Sequence, residues 1–335
     1  MQGSNRESRM RHIIVATAML ICFLVLLSAV RAEDDVLVIP FGLDRYIPAP
    51  EDNPLSSAKI ELGRELFNDR RLSLDHSLAC SSCHDPQHAY TDTRSTAVGV
   101  FGRDGTRRVP ALINRGYGSS FFWDGRLTSL EEQVVQPIAN PNELGMTLEE
   151  AVDRIKADST YVRDFQQAFR SEPNARNLAR ALASYVRSIL SGNSSYDRFL
   201  NGDRSALTLD QQHGLELFRG KANCTGCHVG PNFTDEQFHN TGIAWRGGSF
   251  QDDGRFAVTH NESDRGAFKT PTLREVARSA PYMHDGSVGT LDEVINYYDR
   301  GGNPAPGIDP ELHPLHLSET EKSALVEFLH ALNGQ

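Results

Sequence analysis

The sequence predicts an all-α fold in which two similar domains carry long loops. Apolar residues recur at three- and four-residue intervals over residues 148–169, 175–190 and 318–332, and this spacing is typical of amphipathic helices. The sequence shows no pattern that predicts long strands. Residues 85–120 and 229–280 are rich in Gly, Asn, Asp and Pro, which favours long loops.

A short internal repeat indicates that the two domains are related. Residues 60–67 read IELGRELF and residues 211–218 read QQHGLELF, so both copies contain Gly, one further residue and then Glu-Leu-Phe. Gly, Asn, Ser and Asp accumulate over residues 193–204, as in a linker. We therefore predict an N-terminal domain over residues 33–204 and a C-terminal domain over residues 205–335.

Residues 1–32 have the pattern of a signal peptide. Three arginines precede an apolar run over residues 13–30, and Arg-Ala then leads into three acidic residues. This pattern predicts export and cleavage after Ala32. The apolar run is long enough to leave an uncleaved membrane anchor as an alternative, and the protein would contact a membrane only in that case.

The rest of the composition is that of an ordinary globular protein. The chain has 335 residues, of which 39% are apolar and 23% are charged, so large-scale disorder is not expected. The formal net charge at pH 7 is −10, and removal of the arginine-rich leader makes it more negative. Nucleic acid is therefore not expected as a partner, whereas an acidic surface could attract a basic redox protein.

Four of the five cysteines occur in two Cys-x-x-Cys-His motifs, and the fifth, Cys22, lies in the leader. Two thiols one turn apart can form thioethers to the vinyl groups of haem, while the adjacent imidazole binds the iron. A disulfide or a zinc ribbon would leave the adjacent histidine unexplained in both copies. The motifs predict two cytochrome c-like domains with two covalently bound haem c groups. Their attachment residues and proximal ligands are Cys80, Cys83, His84, Cys224, Cys227 and His228.

Several segments outside these motifs carry a family resemblance. They are FWDGR at 122–126, LEEQ at 130–133, PIANPNELGM at 137–146, TPTLR at 270–274 and APYMHDG at 280–286. From residue 54 to residue 332 the chain resembles the bacterial di-haem cytochrome c peroxidases and their MauG-like relatives. The resemblance implies that the first haem reacts with hydrogen peroxide and that the second haem holds and relays electrons.

The resemblance also implies roles for three side chains. It places Gln133 and Glu143 over the open face of the first haem and Trp123 between the two haems. Glu143 could then shuttle a proton between the peroxide oxygens, and Gln133 could orient the peroxide by hydrogen bonding. Without the resemblance, a Gln and a Glu ten residues apart would be interpreted as solvated surface residues.

The loop after the first motif departs from part of the family. Some of the peroxidases that the chain resembles rest with a second histidine on the first haem, supplied by this loop. Here the loop over residues 85–108 contains only His88, four residues beyond His84, which is too close to reach the opposite haem face. We therefore predict that His88 makes a hydrogen bond within the loop and that the first haem is open without reductive activation.

The sequence contains two candidates for the distal ligand of the second haem. The family has Met in its peroxidases and Tyr in its MauG-like branch, fourteen residues after the His of the His-Asp-Gly motif, and counting from His284 leads to Tyr298. Tyr298 shares one face of the predicted helix with Leu291 and Ile295. Met283 is the alternative ligand, and Tyr298 would then be a buried aromatic residue.

A calcium ion between the domains is a further expectation of the resemblance. Backbone carbonyls that correspond to Ser279 and Pro281 hold part of it, and an asparagine side chain two residues before the proline that is here Pro110 completes it. This chain has Arg108 at that position. Because a cation beside Arg108 would be repelled, the sequence leaves the calcium in doubt.

The sequence-based hypothesis is an exported, periplasmic di-haem peroxidase. Its electrons would come from a small c-type cytochrome, a cupredoxin or a protein substrate, through a MauG-like second haem with His and Tyr ligands. An ordinary cytochrome c peroxidase with His and Met on the second haem is one alternative. A non-catalytic di-haem electron carrier is the alternative from another class.

Overall fold

A computed structural model describes residues 36–334, in which helices are the main regular structure. The α-helices are α1 (Ser57–Phe67), α2 (Leu130–Gln133), α3 (Gln136–Ala139), α4 (Leu148–Lys156), α5 (Ser159–Phe169), α6 (Ala175–Ser188), α7 (Ser195–Leu200), α8 (Leu209–Arg219), α9 (Phe256–Thr259), α10 (Leu291–Asp299) and α11 (Glu319–His330). The predicted signal peptide lies outside the described residues. Within residues 36–334, no helix combines the length and the apolar character needed to cross a membrane.

The structure contains four two-residue strands in addition to the helices, so the all-α prediction is only partly confirmed. They are β1 (Phe238–His239), β2 (Trp245–Arg246), β3 (Ser249–Phe250) and β4 (Phe268–Lys269), which pair antiparallel as β1 with β4 and β2 with β3. All four lie in the segment predicted as a long loop. Strands of two residues leave no alternating pattern long enough to detect in the sequence.

Each half of the chain buries its own hydrophobic core around a pair of crossed helices. In the first core α1 packs against α6, and a Cβ added at Gly63 would lie 2.0 Å from the carbonyl oxygen of Ala181. In the second core α8 packs against α11, and a Cβ added at Gly214 would lie 1.9 Å from the carbonyl oxygen of Ala324. The repeated glycine therefore allows the same close helix crossing in both halves.

The predicted helical segments are present, with boundaries set by capping residues. Residues 148–169 form two helices because Asp158 accepts a hydrogen bond from the Thr160 amide and starts α5. Ser318 forms a capping box with Glu321 at the start of α11.

The predicted linker over residues 193–204 contains α7. Tyr196 from α7 packs edge-on against Phe328 in the second core, with ring centroids 5.7 Å apart. Asp197, also on α7, forms a buried ion pair with Arg274. The linker is therefore ordered and packed, and the division of the chain at residue 204 stays a prediction.

Candidate haem sites and the region between them

The first Cys-x-x-Cys-His motif forms a short helical turn that orients its histidine. The turn spans Cys80–Ser82, and the His84 backbone N–H donates to the Cys80 carbonyl at 3.0 Å. The imidazole Nδ1 of His84 donates to the carbonyl of Tyr90 at 2.9 Å, so Nε2 is available as a ligand. Burial lowers the pKa of His84 to about 4, which keeps the ring neutral, as metal ligation requires.

The second motif repeats this arrangement. Its turn spans Cys224–Gly226, and the His228 backbone N–H donates to the Cys224 carbonyl at 2.9 Å. Nδ1 of His228 donates to the carbonyl of Phe233 at 2.8 Å, and burial lowers the pKa of the ring. Both motifs therefore present a thiol pair and a free Nε2 on one turn, which is the donor set that haem c requires.

A zinc or disulfide interpretation fits this geometry less well. The four motif cysteines are not paired in disulfides. Cys227, Asp235 and His239 lie close enough to suggest a metal cluster. However, the ring nitrogens of His239 are hydrogen bonded to Asp309 at 2.6 Å and to Asp235 at 3.0 Å, so they are not free to bind a metal.

A cavity of about 300 Å³ extends from the second motif towards the first half of the chain. Its walls include Cys224, Cys227 and His228 from the second motif and also Trp123 and Gln133 from the first half of the chain. A haem attached at the second motif would therefore share this space with side chains that the sequence assigned to the peroxide-reacting region.

Trp123 is held by hydrogen bonds at both its indole and its backbone. Its Nε1–H donates to the carbonyl of Arg108 at 2.9 Å, and its carbonyl accepts from the Lys269 backbone N–H at 2.9 Å. The ring packs against the small apolar cluster that contains Phe268 and Tyr297. The indole is thus fixed in the wall of the cavity.

Glu143 lies close to the first motif in a constrained loop. Its Oε1 accepts from the Asn140 side-chain amide at 2.6 Å, and its carbonyl accepts from the Val100 backbone N–H at 2.8 Å. Burial raises the pKa of its carboxyl group. Burial is also the main cause of the raised pKa of the Cys80 and Cys83 thiols, to which the charge of Glu143 contributes.

Gln133 and His88 occupy different positions. Gln133 is the last residue of α2 and lines the cavity. His88 lies in the loop after the first motif, with its side chain 42% exposed and Nδ1 at 2.9 Å from Oδ2 of Asp85. This contact agrees with the hydrogen bond predicted for His88.

Both candidate distal ligands line the cavity near the second motif. Tyr298 on α10 and Met283 are part of its wall, as are Leu291 and Ile295. The neighbouring Tyr297 is not among the residues of this wall, and its hydroxyl donates to the Thr241 carbonyl at 2.6 Å. Burial raises the pKa of Tyr298. The helix face predicted from the sequence is therefore the face that α10 turns to the cavity.

The residues at the expected calcium position do not fit a calcium ion. The Arg108 guanidinium donates to the Ser279 carbonyl at 2.6 Å, and this is one of the carbonyls that the resemblance assigns to the metal. A guanidinium already occupies the space beside this oxygen. A divalent cation there would be repelled.

Sequence reasoning missed a buried charged group in the cavity wall. Lys269 is 8% exposed, and its ammonium lies 3.5 Å from Glu236, which also pairs with Arg115 at 2.7 Å. Burial lowers the pKa of Lys269 to about 7. Arg115 and Glu236 are 121 residues apart in the chain, and such a long-range pair leaves no local pattern.

The fold and the two histidine turns define a class, the two-haem c-type proteins. Residues 57–205 match the family model described as di-haem cytochrome c peroxidase. The methylamine utilization protein MauG of Methylorubrum extorquens is 40% identical over 88% of this chain and 84% of its own length. Cytochrome c551 peroxidase of Nitrosomonas europaea is 32% identical over 86% of this chain and 83% of its own length.

A solved structure agrees with these relatives. It is described as a MauG-like protein associated with microbial copper homeostasis, and it superposes with a TM-score of 0.80 at 35% identity, covering 88% of this chain and 95% of that protein. The chain therefore belongs to the di-haem cytochrome c peroxidase and MauG family, and it is a di-haem peroxidase.

Proposed function

We propose that the protein reduces hydrogen peroxide at the first haem site and receives electrons from a protein partner through the second. The observation that supports this assignment most directly is Glu143, a half-buried carboxyl group with a raised pKa beside the first motif. The second motif has Tyr298 and Met283 nearby instead. A carboxyl group whose pKa is raised by burial suits a site where a proton must move as peroxide is split.

The surrounding residues give Glu143 and Gln133 distinct tasks. Haem c, when bound, supplies the iron at which the O–O bond breaks and through which electrons pass. The Glu143 carboxylate takes a proton from one peroxide oxygen and returns it to the other. Asn140 holds Oε1 of that carboxylate by a 2.6 Å hydrogen bond. The Gln133 amide has a donor and an acceptor with which to orient the peroxide.

Trp123 is the proposed aromatic link between the sites. Its indole lines the cavity that also contains the second motif, and its Nε1–H is fixed by the carbonyl of Arg108. Because the indole and the backbone of Trp123 are both hydrogen bonded, the ring keeps a constant position in the cavity wall. We assign to Trp123 the electronic connection between them.

Tyr298 is the proposed distal ligand of the second haem. It lines the cavity, whereas the hydroxyl of Tyr297 is used by the Thr241 carbonyl. An anionic phenolate oxygen stabilises oxidised iron, so the second site would be a poor acceptor of electrons from an ordinary cytochrome. This ligand favours the MauG-like activity, in which a protein substrate is oxidised.

A second candidate function is an ordinary cytochrome c peroxidase. Met283 supports it because its side chain lines the same cavity, and a thioether ligand favours reduced iron. The donor would then be a small c-type cytochrome or a cupredoxin. In both versions we propose that the leader at residues 1–32 exports the protein to the periplasm.

The test is peroxide reduction by the holoprotein carrying Glu143→Gln. Loss of a positioned proton-transfer group lowers kcat by about 10²–10⁴-fold. Glu132→Gln is the matched control because Glu132 is exposed on α2, and its kcat stays unchanged. Equal activity of both variants would contradict the assignment of peroxide chemistry to the first site. No peroxide turnover by the unmodified holoprotein would instead support the electron carrier.

A further inference from the structure

Arg108 is a buried cation whose hydrogen bonds go to backbone carbonyls. Arg108 is only 5% exposed. One guanidinium nitrogen donates to the Asp92 carbonyl at 2.8 Å and to the Arg94 carbonyl at 3.2 Å. The other donates to the Ser279 carbonyl at 2.6 Å. A buried charge needs such hydrogen-bond partners, because burying it without them costs a large amount of free energy.

These contacts connect the two halves of the chain. Asp92 and Arg94 lie in the loop after the first motif, whereas Ser279 lies in the loop before α10, 171 residues from Arg108. The Arg108 backbone N–H also donates to the His284 carbonyl at 2.7 Å. One residue therefore joins the loops of both haem sites.

The same residue holds the indole of Trp123. The Arg108 carbonyl accepts the Trp123 Nε1–H at 2.9 Å. The position of the indole therefore depends on the position of the Arg108 backbone, which the guanidinium contacts fix from both sides.

The guanidinium is surrounded by backbone carbonyl oxygens, which are also the kind of atom that binds a metal ion. Calcium is bound by hard oxygen ligands, and backbone carbonyls are common among them. Here three carbonyl oxygens face one positive group that belongs to the protein itself. Burial lowers the pKa of Arg108 to about 10, so the group still carries its charge at neutral pH.

We propose that Arg108 is a built-in replacement for an inter-domain calcium ion and a positioning residue for Trp123. The two haem sites then keep their relative positions without a bound metal ion. The positioning role rests on the function proposed above, whereas the replacement of calcium does not. The two parts therefore need separate measurements.

The first measurement is made on the unmodified holoprotein and needs no variant. Holoprotein incubated with calcium and desalted is analysed for metal content, and its thermal unfolding and haem midpoint potentials are measured with and without EDTA. We expect no stoichiometric calcium and no change on chelation. One calcium per chain, with lower thermal stability after EDTA treatment, would overturn the replacement.

The second measurement compares Arg108→Asn with Arg163→Gln, which removes one exposed guanidinium from α5. One equivalent of peroxide is added, and the rate of the absorption change at the second haem is followed. Because small displacements of reacting groups have large effects on rate, we expect Arg108→Asn to slow this change about tenfold or more. Added calcium partly restores the rate in Arg108→Asn, and it has no effect on the unmodified protein or on Arg163→Gln.

A further variant separates failure of this inference from failure of the proposed function. If Trp123→Phe slows the change at the second haem and Arg108→Asn does not, the positioning role is wrong. An unchanged rate in Trp123→Phe would contradict the proposed connection between the haems, and with it the positioning role. The metal analysis would still decide whether Arg108 replaces calcium.

Discussion

The two candidate haem sites are alike around the motif histidine and differ in the other side chains that lie near each motif. In each, a glycine allows two helices to cross closely, and a backbone carbonyl holds Nδ1 of the histidine. Beyond this shared part, the first site has Glu143 in a constrained loop, and the second has Tyr298 on α10. The repeated sequence thus accounts for the shared histidine turns, and the segments outside the repeat supply the side chains that differ.

The close helix crossing that both halves share can be tested by adding a methyl group at each of the two glycines. Gly63→Ala and Gly214→Ala each place a methyl group about 2 Å from a carbonyl oxygen, so each should lower the free energy of unfolding by about 3 kcal/mol. Denaturant unfolding of the holoproteins measures the effect. Gly289→Ala is the control, because its added Cβ meets only the flexible Glu293 side chain at 3.3 Å. A large loss in only one of the two variants would show that the crossings are not equivalent.

The identity of the distal ligand at the second site can be tested with Tyr298→Phe and Met283→Leu. Loss of the phenolate removes a ligand that stabilises oxidised iron, so the ratio of reduced to oxidised second haem at a fixed potential should rise about tenfold or more in Tyr298→Phe. Redox titration with optical detection measures this ratio. Met283→Leu and Tyr297→Phe should leave it unchanged. A shift in Met283→Leu alone would favour the ordinary cytochrome c peroxidase.

The carboxyl group of Glu143 at the first site should determine how peroxide reduction depends on pH. The proton shuttle requires ionised Glu143, so activity falls as the pH drops through its pKa, which burial places above the ordinary glutamate value. Asn140 donates a hydrogen bond that lowers this pKa. Asn140→Ala should therefore move the acid limb of kcat/KM to higher pH. A shift to lower pH would contradict the assignment, and Tyr298→Phe should cause no shift.

The sequence predicted those parts of the sites that depend on local spacing. The spacing of the motif residues and the face of α10 that carries Tyr298 both follow from residues a few positions apart. Even the doubt about calcium came from one residue, Arg108. What the sequence could not predict are contacts between distant segments, such as Arg108 with Ser279 and Arg115 with Glu236. Such pairs depend on how the loops fold back, and no local pattern encodes them.

The most direct test of the asymmetry between the sites is the electron paramagnetic resonance spectrum of the purified ferric holoprotein before any reductant is added. We expect one high-spin signal from an open first haem and one low-spin signal from a second haem with both axial positions filled. The loop hydrogen bond of His88 to Asp85 is consistent with the open first site. Two low-spin signals would contradict an open first haem, because both haems would then be closed to peroxide in the resting protein.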